Sequence, residues 1–339
     1  MHGYAENMQA FFKMRMEVYM KRAEVLKRLG YEVSDIKKKR VIIHSDIAAE
    51  ADDQFAIVHH LLCPTEDVVG IIAANFEWRF RTIPALKPQA GHSMEKSYEE
   101  GCKLLKLMDI DDVPIYHGAK DFIENRADLP TSEGSRFIIE EAMRECEEPL
   151  YIALQGTLTD LAVAYLTEPG IAERITAAIW IGGGAYPNGG QESNLQQDIY
   201  AAQVLFDSPM PIWQFPVNTY GGVNISFPEL ITKVQTNGEI GKWLCDNMFR
   251  VNDFYGKVPR RMEFPHGELW SIGDQPTVSA LLENVAGQKR HIEKAPRILD
   301  DMTYAANPEG KDIYVYDDID RRLLLDDFFA RLKLCYGNE

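Results

Sequence analysis

From Val41 onward the chain alternates short, nearly continuous apolar runs with longer segments whose apolar residues recur at helical spacing. The runs at 41–43, 68–74, 113–116, 150–154, 177–181, 212–215 and 313–316 read as strands. They are apolar at consecutive positions, as strands covered on both faces are. Segments 53–62, 94–108, 134–146, 158–166 and 198–206 read as helices between them. Strand and helix alternating in this way predict an α/β fold, a mostly parallel open sheet flanked by helices. Ahead of that pattern, Met8, Phe11, Phe12, Tyr19, Ala23 and Leu26 fall near helical spacing among charges. Residues 1–38 are therefore expected to be an N-terminal helical extension, packed on the α/β domain 39–339 or on a partner subunit. The run Lys37-Lys38-Lys39-Arg40 between the two reads as a solvated junction. Residues 225–268 are less regular, with Gly238, Gly241, Gly256, Pro259, Pro265 and Gly267, and read as a lid or insertion.

Composition narrows the function. The 339 residues include 36 Lys and Arg against 52 Asp and Glu, a formal charge of −16. That acidity argues against a nucleic-acid partner, which needs a positive footprint. No apolar run approaches the roughly 18 residues of a membrane span. The first forty residues carry charges throughout and no apolar signal core, so the expected compartment is the cytoplasm. The five cysteines are far apart and form no CxxC pair, which fits reduced structural thiols better than disulfides or zinc.

Ligands of open α/β sheets bind beyond the carboxyl ends of the strands, so the residues just past each strand are the candidates. They are His44, Ser45 and Asp46 after the first, and Asn75, Phe76, Glu77 and Trp78 after the second. Gln155-Gly156-Thr157, Gly182-Gly183-Gly184 and Val217-Asn218-Thr219-Tyr220 follow three others. The densest cluster is Asp46-Ile-Ala-Ala-Glu50-Ala-Asp52-Asp53-Gln54. One aspartate here is explained as a helix cap. Three or four like charges in one short loop need a neutraliser, and a hard cation bound by carboxylate oxygens is the natural one. Without a His pair or Cys ligand nearby, Ca²⁺ or Mg²⁺ fits better than Zn²⁺. No Lys or Arg stands in the loop to hold a phosphate, which disfavours a phosphohydrolase. Asn188, Glu192-Ser193-Asn194 and Gly273-Asp274-Gln275-Pro276-Thr277 complete the polar set. Trp78, Tyr220 and Trp270 could stack on a base or simply pack.

Taken in order, these segments resemble the nucleoside hydrolase superfamily, closest to its divergent branch in which the loop reads T-D-I-x-x-E-x-D-D-Q. The match runs from about Val41 to Phe215, with Asp274 as a further anchor. The resemblance implies Ca²⁺, with Mg²⁺ less favoured, held by Asp46, Asp53, Asp274 and Gln155 through its backbone carbonyl. It implies that Asp46 is also the general base, that Asp52 holds a ribose hydroxyl, and that Asn75, Asn188, Glu192 and Asn194 bind the sugar. The implied activity is metal-dependent hydrolysis of a ribonucleoside N-glycosidic bond. The alternatives are another glycoside or ribosyl compound as substrate, or a non-catalytic nucleoside- or carbohydrate-binding protein. The implied partners are a small-molecule nucleoside or glycoside and further copies of the chain in a homo-oligomer. The sequence departs from the superfamily's D-x-D-P-G-x-D-D loop. His44 replaces the first Asp, and the stretch from Asp46 to Asp52 is two residues longer and lacks Pro-Gly, which adds Glu50. Gly273 stands where relatives often carry a His that protonates the leaving base. The leaving-group acid is thus unassigned, with His92, His266 and Glu268 as candidates.

Overall fold

A computed structural model describes residues 21–82, 92–124, 127–257, 267–283 and 286–337. The strands are β1 (Lys39–Ser45), β2 (Glu66–Ala73), β3 (Ile115–His117), β4 (Leu150–Gln155), β5 (Ile175–Ile181), β6 (Ile212–Phe215), β7 (Asn224–Ser226), β8 (Leu269–Ser271), β9 (Lys289–Lys294), β10 (Arg297–Ile298), β11 (Tyr304–Ala305) and β12 (Asp312–Asp318). Eight of them form one sheet in the order β3-β2-β1-β4-β5-β6-β12-β9. Every neighbouring pair is parallel except β12 with β9. All seven strands expected from the apolar runs lie in this sheet. The eighth, β9, reads Lys-Arg-His-Ile-Glu-Lys and carries no apolar run, because as the edge strand it is covered on neither face.

Alternation along the strands divides the core in two. Val41 and Ile43 point into one apolar cluster and Ile42 into the other. The first cluster is completed by the helix Asp53–Leu61, by Leu104 and Leu105 of the helix His92–Leu107, and by the helices Gly238–Gly256 and Arg321–Tyr336. The second takes Ile138, Leu161, Val163, Leu205 and Phe206 from the helices Glu133–Met143, Thr159–Thr167 and Ile199–Asp207. Helices therefore cover both faces, as β-branched strands buried on both sides require. Among the described residues no helix is long and apolar enough to cross a membrane. All five cysteines are unpaired.

Of the expected helical extension over 1–38, the part before Lys21 lies outside the described residues. The part after it forms a short helix, Arg22–Lys27, with Val25 and Leu29 sunk into the first cluster. The Arg22 guanidinium donates to the backbone carbonyls of His60 and Leu61, at the carboxyl end of the helix Asp53–Leu61, and to those of Cys63 and Glu66 in the turn that leads into β2. The last carbonyls of a helix lack partners further along it, and Arg22 supplies a donor there. The basic junction is not wholly solvated. Arg40 is 3% exposed and pairs with Glu141 at 2.8 Å, because it lies on β1 and must bury its charge against a partner. Within the stretch read as a lid, residues 238–256 form a helix whose Ile240, Leu244 and Met248 are buried in the core. Residues 258–266, and with them His266, lie outside the described residues.

Candidate active site

The carboxyl ends of β1, β2, β4, β5 and β6 open on one cavity of about 440 Å³. Its wall includes Asp46, Glu50, Asp52 and Asp53 from the loop after β1, Gln155 from β4, and Glu192 and Asn194 from the segment after β5. Tyr220, Gly273 and Asp274 close the far side. Three carboxylates, those of Asp52, Asp53 and Asp274, offer oxygens within 4.8 Å of one another.

The loop after β1 puts them there. Asp52 occupies the N-cap position of the helix Asp53–Leu61, yet its side chain makes no capping bond. It turns away to accept the Gly273 N–H at 3.1 Å. Asp53 accepts the Ser45 hydroxyl at 2.5 Å. The simple capping explanation of these aspartates therefore fails. Asp46 accepts a hydrogen bond from the Gln197 side-chain amide at 2.9 Å. It presses against the turn after β4, where a Cβ on Gly156 would lie 2.6 Å from an Asp46 carboxylate oxygen. Only glycine lets the backbone pass so close.

Burial dominates the electrostatics. It pushes the Asp46 carboxyl up, with the Arg79 guanidinium opposing it. It lifts Asp52 to about 7, with Glu50 adding to the rise. Asp53 is driven well above the carboxylate range by burial and then by Asp46 and Asp52, and Asp274 by burial and then by Asp52 and Asp53. Like charges this close need either protons or a cation. The donor set fits a hard cation. It is all oxygen, and the Gln155 side-chain oxygen at the same wall is buried with no hydrogen-bond partner while its amide nitrogen donates to Thr277 at 2.8 Å.

The remaining expected residues divide. Glu192 lines the cavity, but four donors already converge on it: the N–H groups of Gly183, Asn194 and Leu195 and the Tyr220 hydroxyl, the last at 2.6 Å. Asn194 lines the cavity with its amide donating to the Ile181 carbonyl at 3.0 Å. Asn75 is buried next to the rim and donates to the Ala119 carbonyl; it does not line the cavity. Asn188 is exposed and its backbone carbonyl accepts from Tyr304, away from the cavity. Trp270 is buried in the core, and Trp78 is half-buried outside the wall. Neither His92 nor Glu268, both exposed, reaches the cavity. His44, in place of an aspartate, is buried and pairs with Asp160 at 2.9 Å beneath the site. At Gly273 a Cβ would meet the Tyr220 ring at 2.9 Å, so a larger residue there would displace that ring.

Sequence reasoning missed two participants. Gln197 holds Asp46. Arg79, 5% exposed, enters from the short helix Glu77–Thr82 and pairs with Glu50. The acidic loop does have a cation, supplied from another element. Its position one residue past Trp78, on the same rim, was the available signal.

Fold and cavity together describe an α/β protein with an acidic cavity at the carboxyl rim of its parallel sheet. The family model described as inosine-uridine preferring nucleoside hydrolase matches residues 41–322, and the chain belongs to that family of N-ribohydrolases. It is 24% identical over 235 residues to probable uridine nucleosidase 1 of Oryza sativa subsp. japonica, covering 66% of this chain and 72% of the relative. It is 26% identical over 236 residues to probable uridine nucleosidase 2 of Arabidopsis thaliana, covering 64% and 71%. The fold is shared with the purine-preferring ribonucleoside hydrolase from Gardnerella vaginalis, at TM-score 0.68 and 19% identity over 88% of this chain and 99% of that one. It is also shared with the effector protein XOO4466, at TM-score 0.63 and 12% identity over 92% and 97%.

Proposed function

We propose that this protein is a calcium-dependent hydrolase of ribonucleosides, with Asp46 as general base. The observation that carries the reading is the meeting of Asp52, Asp53 and Asp274 within 4.8 Å, beside Asp46, in one cavity of the sheet's carboxyl rim. Asp46, Asp53, Asp274 and Gln155 would hold the ion, and Asp52 a ribose hydroxyl. Bound there, the ion would supply Lewis acidity, polarising a water and orienting the sugar hydroxyls. Asp46, fixed by Gln197, takes the proton of the attacking water. The water oxygen bonds to the anomeric carbon as the glycosidic bond to the base breaks, and the bonding pair leaves with the base. Positive charge gathers on the sugar in that transition state, and the surrounding carboxylates stabilise it. Glu192 fixes Tyr220 and the backbone N–H groups of Asn194 and Leu195, which supports placing Asn194 against the ribose. A cavity of about 440 Å³ suits one nucleoside. Unpaired cysteines support a reducing compartment, the cytoplasm. We also expect a homo-oligomer, as the superfamily resemblance implies.

The test is ribose release from uridine, inosine and p-nitrophenyl riboside, with calcium and with EDTA. Release that EDTA stops and calcium restores supports the reading, and Asp46→Asn should slow it by about 10²- to 10⁴-fold. Release unaffected by EDTA, or by Asp46→Asn, would overturn it.

A further inference from the structure

Arg79 is the single Lys, Arg or His among the described residues that line the cavity. Of its guanidinium donors one goes to a Glu50 oxygen. Its other nitrogens are not sealed away from partners, and neither is the second Glu50 oxygen; both residues face the cavity. Their side chains are 6% and 14% exposed, so the pair is held at the wall with little freedom to swing out. The wall therefore presents a fixed donor next to a fixed acceptor.

Glu50 belongs to the stretch between Asp46 and Asp52 that exceeds the superfamily pattern by two residues. Gly273, on the same wall, carries no side chain and is backed by Tyr220. Arg79 and Glu50 thus stand as a polar pair of donor and acceptor on the cavity wall. Phosphate is a poor occupant for the pair, since Asp46, Glu50, Asp52, Asp53, Glu192 and Asp274 all line the cavity and would repel a second anion. A neutral group with an acceptor beside a donor fits. The ring edge of a nucleobase that carries a carbonyl next to an N–H, a lactam, is such a group. The carbonyl oxygen gathers negative charge as the base departs, and a guanidinium facing it binds that state more tightly than the ground state.

We propose that Arg79 and Glu50 read the nucleobase, Arg79 donating to a ring carbonyl and Glu50 accepting from the adjacent ring N–H. This assignment rests on the proposed ribonucleoside hydrolysis and names two specificity-determining residues for it.

The experiment compares uridine with 3-methyluridine and inosine with 1-methylinosine, since each methyl group removes only the ring N–H. Calcium-dependent kcat/KM is measured for the wild type, Glu50→Gln and Arg79→Lys. Binding of free uracil and 3-methyluracil is followed by calorimetry, which needs no turnover. The wild type should prefer the unmethylated nucleosides at least tenfold. Glu50→Gln, which still pairs with the guanidinium, should cut that preference at least fivefold. Arg79→Lys, which loses the planar fork, should slow uridine and inosine at least tenfold more than p-nitrophenyl riboside, which has no lactam. Equal preference in the wild type and Glu50→Gln, or an equal loss on every substrate in Arg79→Lys, would overturn the assignment. If the wild type releases no ribose, the proposed hydrolysis fails. A difference between uracil and 3-methyluracil that Glu50→Gln abolishes would still uphold the base-reading pair, and equal binding of the two bases would sink it as well.

Discussion

Asp53→Asn changes one atom at the centre of the acidic floor and has an effect whose size depends on whether a cation is bound. The oxygens of Asp52, Asp53 and Asp274 lie within 4.8 Å of one another. At an effective dielectric of about 20, two unit charges at that separation repel by about 3.5 kcal/mol. Removing the Asp53 charge deletes two of the three repulsive pairs. Without metal, the folded protein avoids much of this repulsion by holding protons: burial and then the neighbouring aspartates drive Asp53 and Asp274 well above the carboxylate range, while burial and then Glu50 lift Asp52 to about 7. A folded-state value above the unfolded one means that the folded state binds the proton more tightly. Stability is therefore greatest below about pH 4, falls as pH rises towards 7, and levels off above it. The rise at Asp52 corresponds to about 4 kcal/mol of destabilisation at pH 8. Asparagine keeps an oxygen for the Ser45 hydroxyl, so packing is retained. In EDTA at pH 8, Asp53→Asn should melt several degrees above the wild type, at about 2 °C per kcal/mol for a chain of this size. The wild-type melting temperature should fall between pH 5 and 8, and that of the variant should fall less. Calcium at a hundred times its Kd should close much of that gap, because the wild type gains about 2.7 kcal/mol and the variant almost nothing. Thermal melts by calorimetry across that pH range give the answer. A variant that melts below the wild type in EDTA at pH 8, and that calcium raises equally, would refute both the repulsion and the shared ion.

Three particular contacts carry further expected outcomes. Gly156→Ala sets a methyl group 2.6 Å from an Asp46 oxygen, so kcat for nucleoside cleavage should fall at least tenfold while the melting temperature falls by a few degrees. Tyr220→Phe removes the hydroxyl bonded to Glu192, which should cost about 1–2 kcal/mol of stability by denaturant titration and raise KM for the nucleoside. Arg22→Ala removes a buried donor shared by four carbonyls and should destabilise the fold by about 3 kcal/mol or more, read as a lower urea midpoint.

The parallel sheet was legible because burial on both faces writes itself as consecutive apolar residues. β9 was not, since an edge strand of charged residues has the composition of a loop. The loop from Asp46 to Asp53 was legible because clustered carboxylates have few structural explanations. Residues that support the site from a distance in sequence left weaker traces. Gln197 meets Asp46 across 151 positions, and no local spacing encodes that contact. Arg79 was overlooked because a search confined to the acidic loop misses a cation brought in by the next strand's rim. Trp270 has the composition of a stacking residue, but burial on the short antiparallel β7–β8 pair spends it on the core.

The helix Asp53–Leu61 joins two features that the chain places at opposite ends of it. All nine of its residues are buried, its head carries Asp53, and its tail is gripped by Arg22 of the N-terminal segment. Any coupling carried along this helix is reciprocal: if occupancy of the acidic floor steadies the helix, it steadies the seat of Arg22 by the same free energy, and the converse holds. Protease susceptibility of the N-terminal segment, compared with and without calcium and nucleoside, would read that coupling from outside the cavity.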